Sequence, residues 1–375
     1  MSSLVWVEID GKSLAHNLEE IRKGSAPGTA ACAVVKSNAY GHGVAQVAPL
    51  LASAEWLGVN SLEEGLELRA LGIRKPVLLL GHVPLAELRT AIEAGLAMTV
   101  YNRETIEKIS AMPPLDAPAR LHIKVDTGTG RQGILPDEIP DFTRMVKGAR
   151  NVALEGLSTH FANIEDTLNH DYARLQIERF QSALKCVEGI AGRLPWVHTA
   201  CTAAALLFPS THFTMLRTGI GLYGLWPSRE TFVSVREKGT PVDFRPALSW
   251  KTRIVQIKTL PEGSYVGYGC SYRTTRKTLL GVLPIGYADG YDRALGNRAH
   301  VLVHGRRAAV IGRICMNLCM VDLTDVPGVR LEDEVVLLGS SGEERITAET
   351  MGEWAGTINY EIVARISPLL PRRVV

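Results

Sequence analysis

An α/β protein, a (β/α)8 TIM-type barrel followed by a mainly antiparallel β domain, is what the sequence predicts. Three observations carry the prediction. Eight short apolar runs alternate with amphipathic segments over the first two-thirds of the chain. After about Trp226 the texture changes to alternating, β-branched runs broken by Gly and Pro. No G-x-G-x-x-G follows the first strand, which removes the usual dinucleotide reason to prefer a doubly wound open sheet.

The candidate strands are Ala31–Val35, Trp56–Asn60, Val77–Leu80, Met98–Tyr101, Leu121–Val125, Leu154–His160, Val197–Thr199 and Met215–Arg217. Between them lie helical patterns. SLEEGLELRALG starts with a capping-box pair, Ser61 and Glu64. DTLNHDYARLQIERFQSALKCVEGI repeats apolar residues at three- and four-residue spacing. Strands separated by helices favour a closed parallel barrel over residues 1–235. PSRETFVSVREKGTPVDFRP reads as a linker. SWKTRIVQIKTL, TLLGVLPIGY, HVLVHGRRAAVIG, CMVDLT and DEVVLLG then make residues 236–375 the β domain.

Composition narrows the function. With 375 residues and 46% apolar side chains, the chain can bury a large core and a smaller second one. Lys plus Arg number 41 and Asp plus Glu 39, so no basic footprint for nucleic acid or an anionic membrane is evident. MSSLVWVEIDGK lacks the order of a signal peptide, and no run approaches the ~20 apolar residues that span a bilayer. The six cysteines are too sparse for a disulfide scaffold, and Cys315 with Cys319 has no His/Cys company to suggest a metal. Reduced thiols in a cytoplasmic protein without a metal site are expected.

In such a barrel the active site lies at the carboxyl ends of the strands. Those ends carry Lys36, Lys124 with Arg131 just beyond, His160, Thr202 and Arg217. Singly, Lys36 reads as a snorkelling surface lysine, His160 as a satisfied core histidine and Arg217 as a salt-bridge arginine. Together at one barrel end, they read as a site. A lysine ending a buried strand suits a Schiff base, because desolvation lowers its pKa and leaves a neutral nucleophile. The aldehyde cofactor that needs such a lysine is pyridoxal 5′-phosphate. Hydroxyls and glycine N–H groups of TACTAA (Thr199–Ala204) and TGIGLYG (Thr218–Gly224) offer its phosphate a cradle. Tyr40 follows Lys36 by four residues, within reach of the phosphate end if a helical turn begins there.

AVVKSNAYGHG (Ala33–Gly43 with its flanking strand), KVDTGTGRQG (Lys124–Gly133), STHFA (Ser158–Ala162), RTGIGLYG (Arg217–Gly224), VGYG (Val266–Gly269), IGYADGY (Ile285–Tyr291), GRICMN (Gly312–Asn317) and INYEI (Ile358–Ile362) occur in that order. On these motifs the chain resembles the pyridoxal-phosphate-dependent alanine racemase family over essentially its whole length. The resemblance implies a homodimer in which the partner's β domain closes each active site.

Position by position, it makes Lys36 the cofactor lysine and one catalytic base, with Tyr268 of the partner subunit as the other. Tyr40, Thr202, Gly219, Ile220 and Tyr360 would hold the phosphate. Arg217 would face the pyridine nitrogen, with His160 nearby. Arg131 would bond the phenolic oxygen and place the substrate carboxylate, while Met316 and Tyr287 would line the substrate side. Lys124 matches a lysine that many members carbamylate to orient that arginine. Two positions depart from the pattern. Cys201–Thr202 replaces a frequent Asn–Ser while keeping a hydroxyl, and Asn317 replaces a frequent aspartate.

The implied reaction interconverts L- and D-alanine, supplying D-alanine for peptidoglycan. Bases on opposite faces of the α-carbon meet its demand without turning the substrate over. Competing expectations are a racemase of another small amino acid such as serine, a non-catalytic pyridoxal-phosphate-binding protein, and a decarboxylase on the same plan. Tyr268 speaks against the second, and Arg217 in place of an acidic group against the third.

Overall fold

The computed structural model describes residues 3–239 and 241–375. The chain forms two compact units, one of residues 12–37 and 48–246, the other of residues up to 11, 38–47 and 247–375.

The first unit is the barrel. Its strands are β1 (Ala30–Val34), β2 (Trp56–Val59), β3 (Val77–Leu79), β4 (Ala97–Val100), β5 (Ala119–Lys124), β6 (Val152–Ser158), β7 (Trp196–His198) and β8 (Met215–Thr218). They pair parallel in chain order, and β8 returns to lie beside β1. Between β7 and β8 the ring is joined, among the described residues, by two backbone bonds, Thr214 N–H to Val197 O at 3.1 Å and Arg217 N–H to Ala200 O at 2.9 Å. Every expected strand is present, with ends displaced by two residues at most. The strands read as nearly unbroken apolar runs because both their faces are covered. Inside, Cys32, Trp56, Leu78, Ala97 and Met215 pack together.

The capping box forms as expected at the start of helix Leu62–Ala70. Helix Asp171–Ala191 buries Ala173, Gln176, Phe180, Ala183 and Val187, a stripe at helical spacing. The linker expectation needs correcting. Within it lies helix Arg229–Glu237, where Ser228 Oγ accepts the Thr231 N–H at 2.9 Å. Thr231, Ser234 and Val235 supply a buried face narrow enough to be hidden by its polar neighbours.

The second unit does not follow a single cut after residue 235. Its main sheet takes in strand Val5–Ile9, which pairs antiparallel with Leu248–Arg253 and parallel with Arg372–Val374. Glu334–Ser341, His300–Val303 and Arg306–Ala309 extend it on the other side. Gln256–Leu260, Thr278–Leu283 and Cys319–Asp322 form a second antiparallel sheet.

Candidate active site

Lys36 comes two residues after the end of β1, and the backbone then does something unusual. Ser37, Asn38, Ala39 and Tyr40 have φ of +54°, +53°, +53° and +54°, a complete left-handed turn built from non-glycine residues. Each such residue costs roughly 1–2 kcal/mol relative to the right-handed form. The expected helical turn is there, with the opposite hand. Glu64 Oε1 accepts the Ser37 N–H at 2.5 Å. Beyond it, Asn38 accepts the Gly43 N–H on its carbonyl and the Val44 N–H on Oδ1, both at 2.9 Å. At Gly41 a Cβ would stand 1.8 Å from Val363 O, so only glycine fits. Strain held by this many contacts is characteristic of functional positions.

Around the barrel mouth, cations crowd together. Burial lowers the Lys36 pKa, as does nearby Arg131, while Glu64 opposes them. Burial, then Arg217 and Arg131, brings Lys124 down to about 8. His160 is held neutral, first by burial and then by Arg217 and Arg131. Arg217 is only 7% exposed. Its Nη1 donates to His198 Nδ1 at 2.6 Å and His198 O at 2.7 Å. Its Nη2 donates to Thr159 O at 2.8 Å and Thr199 O at 3.0 Å, with His160 Nδ1 at 3.5 Å. Neither Arg217 nor Arg131 has an ion pair among the described residues. A buried guanidinium without a carboxylate calls for an electron-rich ligand.

The loop carrying Arg131 is tied by Asp126. Its carboxylate accepts the N–H groups of Gly128, Thr129, Gly130 and Arg131 at 2.8–3.2 Å. Burial alone would raise its pKa, but these four donors bring it below the usual carboxylate range. Thr202 opens helix Thr202–Leu207, and Gly219 precedes the 3-10 turn Ile220–Tyr223. The Gly219 and Gly221 N–H groups both aim at Thr202 Oγ1, at 3.2 and 3.4 Å. A Cβ on Gly221 would lie 2.4 Å from the Thr202 methyl group. Thr202, Gly219 and Ile220 are therefore brought together as expected.

In the second unit, the Tyr40 and Tyr360 rings lie 6.3 Å apart. The loops of Tyr287 and Met316 are joined by the Tyr287 N–H to Cys315 O (3.1 Å) and Ala288 N–H to Met316 O (3.0 Å) bonds. Gly286 permits this approach, since its Cβ would meet Met316 O at 2.3 Å. Tyr268 sits between Gly267 and Gly269, at φ of +73° and +72°, and is 72% exposed. All six cysteines are free thiols.

Several residues at the site were not singled out from sequence. Gln132 accepts from Lys124 Nζ at 3.2 Å and donates to Tyr101 at 2.8 Å. His198 bears on Arg217, and Glu64 on the backbone after Lys36. Gln132 and Asp126 lie inside KVDTGTGRQG, so the signal was at hand for them. For His198 and Glu64, only the fold shows the contact.

Residues 9–227 match the family model "Alanine racemase, N-terminal domain", and residues 247–374 match "Alanine racemase, C-terminal domain". Alanine racemase of Desulfovibrio desulfuricans is 40% identical, over 98% of this chain and 97% of its own. That of Leptospira interrogans is 38% identical, over 99% and 95%. The crystal structure of alanine racemase from Bacillus anthracis with bound L-Ala-P superposes with a TM-score of 0.93. It is 35% identical and covers 100% of this chain and 96% of that one. Biosynthetic alanine racemase from Pseudomonas aeruginosa gives 0.87 at 32% identity, with full coverage of both chains.

Proposed function

Since this chain belongs to the alanine racemase family, we propose that it racemises alanine with pyridoxal 5′-phosphate, using Lys36 and the partner subunit's Tyr268 as opposed bases. The observation that carries this reading is the cluster at the barrel mouth. A lysine of lowered pKa stands among cations, with a buried arginine that has no counter-ion among the described residues.

These residues fit the cofactor. Lys36 supplies an amine disposed to be neutral, and Gly219, Ile220 and Thr202 a close-packed cradle of hydroxyl and N–H donors for a phosphate. Tyr40 and Tyr360 would add phenolic donors to that cradle. Arg217 would face the pyridine nitrogen, with His160 beside it. Burial lowers the Arg217 pKa, yet a guanidinium still does not surrender its proton to such a nitrogen. When bound, the cofactor supplies an electron sink that acidifies the substrate's α-carbon.

The chain's own groups then handle the proton. Arg131 would place the substrate carboxylate, and Lys124, carbamylated, would steady Arg131. Met316 and Tyr287 would confine the side chain to a small one. Lys36 Nζ takes or returns the α-proton on one face, and the phenolic oxygen of the partner subunit's Tyr268 on the other. The exposure of Tyr268, with Tyr265 at 61% and Met316 at 58%, supports a homodimer that covers this surface. The same reading makes D-alanine for peptidoglycan the physiological product, as suits similarity to a biosynthetic enzyme. No helix among the described residues is long and apolar enough to cross a membrane, which is compatible with cytoplasmic work.

Purified holoenzyme incubated with L-alanine in deuterated water tests the reading. Optical rotation should decay to zero as deuterium enters the α-position. Constant rotation without incorporation would sink it.

A further inference from the structure

Inside the barrel, the hydrogen bonding of Arg217 on β8 continues through two histidines. His198 on β7 accepts from Arg217 Nη1 at 2.6 Å through Nδ1, and its Nε2 lies 2.8 Å from Nδ1 of His122 on β5. Both imidazoles are fully buried. A guanidinium only donates. His198 Nδ1 must therefore be bare, which puts its proton on Nε2. That N–H donates to His122 Nδ1, so the His122 proton must sit on Nε2 as well. The order of protons is dictated from Arg217 downward.

His122 is built into its place by two further features. The β5–β6 register breaks between Leu121 and His122, an irregularity of the kind that re-aims a side chain. Opposite it, Gly156 on β6 leaves room for the ring, since a Cβ there would lie 2.5 Å from His122 Nδ1 and 2.8 Å from Trp196 O. The orientation has a cost. His122 Nε2 is buried with no acceptor among the described residues, and its aromatic neighbour Trp56 stands T-shaped to it at 5.6 Å. Burial first, then Arg120 and Arg217, pushes the His122 pKa down to about 3. Burial, then Arg217 and His122, lowers that of His198 well below the usual value. Both rings are neutral.

We propose that His122 is a positioning residue which, by accepting the His198 Nε2–H, fixes the His198 tautomer and thereby the orientation of the Arg217 guanidinium. The opposite tautomer of His198 would set N–H against N–H at 2.6 Å. The consequence for catalysis rests on the reading in which Arg217 faces the cofactor's pyridine nitrogen. The tautomer order itself does not.

Long-range 15N–1H correlation spectra of histidine-labelled protein, with and without the cofactor, read the tautomers directly. Both rings should be neutral with the proton on Nε2. An Nδ1–H tautomer or an imidazolium at either position overturns the proposal without any variant. Two substitutions then separate acceptor from filler: His122→Asn keeps an acceptor near the Nδ1 position, and His122→Phe keeps the ring alone. The phenylalanine variant should shift the absorption of the bound cofactor and lower kcat on the order of tenfold, the effect of one buried donor left unsatisfied. KM for alanine should hold, and the asparagine variant should recover most of the rate. Equal rates in all three proteins, or a greater loss with asparagine than with phenylalanine, also overturns it. If the unsubstituted holoenzyme fails to racemise alanine, the reading of Arg217 falls while the tautomer result stands.

Discussion

The two units treat their candidate site residues in opposite ways. In the barrel unit, Arg217 is buried under four bonds of 3.0 Å or shorter, and Asp126 gathers four backbone N–H groups to fix its loop. In the other unit, Tyr268 projects from a pair of left-handed glycines with 72% of its surface open. Groups that must hold a cofactor in one pose gain from rigid support, because misplacement of a reacting atom is expensive in rate. An exposed tyrosine in the proposed role of a base is useful only if something covers it. The contrast is what the proposed site, shared between two copies of one chain, would require.

The sharpest break in that contrast is Lys36→Ala. It should leave the fold intact, abolish covalent retention of the cofactor, and cut alanine racemisation by about 10⁴-fold or more, since nucleophile and base are lost together. Borohydride treatment of the unsubstituted holoenzyme should fix the cofactor on Lys36 and on no other side chain. Tyr268→Phe should retain the cofactor and lose about 10²–10⁴-fold in α-proton exchange from L-alanine, the usual contribution of one acid–base group. Mixing the two inactive variants distinguishes a shared site from a self-contained one. In a symmetric dimer, a heterodimer rebuilds one intact site, so random exchange should restore about a quarter of full activity. No recovery on mixing would refute the shared site.

How much of this was legible in the sequence divides along the same line. The eight barrel strands could be read because each is short and largely apolar, and several carry a chemically conspicuous residue at or near the carboxyl end, such as Lys36, Lys124 or Arg217. The left-handed turn at Ser37–Tyr40 could not, because residue spacing carries no sign of φ. Val5–Ile9 reads as an apolar strand, but nothing local says that its partners are Leu248–Arg253 and Arg372–Val374, more than 230 residues away. His122 and His198 lie 76 positions apart, so their contact exists only once the barrel closes. The Tyr268 assignment came from resemblance rather than from its own surroundings, since a tyrosine between glycines is ordinary.

A smaller effect, in the barrel unit, follows from Lys124. Burial, Arg217 and Arg131 lower its pKa from 10.5 to about 8, so the amine is mostly neutral above that pH and mostly charged below it. Only the neutral amine reacts with carbon dioxide. With 13C-bicarbonate, a carbamate signal should grow as pH rises through about 8 and fade as it drops, and Lys124→Arg should show none. The sign for stability agrees. Between about 8 and 10.5 the unfolded chain holds more protons at this residue, so this group's contribution to stability improves as pH rises through that window.

The smallest expected effect tests whether support of the barrel site can be weakened without touching its chemistry. Ser61 Oγ accepts the Glu64 N–H at 3.4 Å, while Glu64 reaches back to the N–H groups of Asn60 at 2.6 Å and Ser37 at 2.5 Å. One carboxylate thus caps a helix and holds the backbone beside Lys36. Ser61→Ala removes only the hydroxyl, and should cost about 1 kcal/mol in chemical denaturation. Glu64 keeps its two short bonds in that variant, so kcat should stay near the unsubstituted value. Hydrogen exchange should quicken in helix Leu62–Ala70 and leave strand Val5–Ile9 unchanged. A large fall in kcat with stability preserved would mean that the Ser37 backbone is poised by the serine itself. The rigid half of the site would then reach one residue further than the short bonds of Glu64 imply.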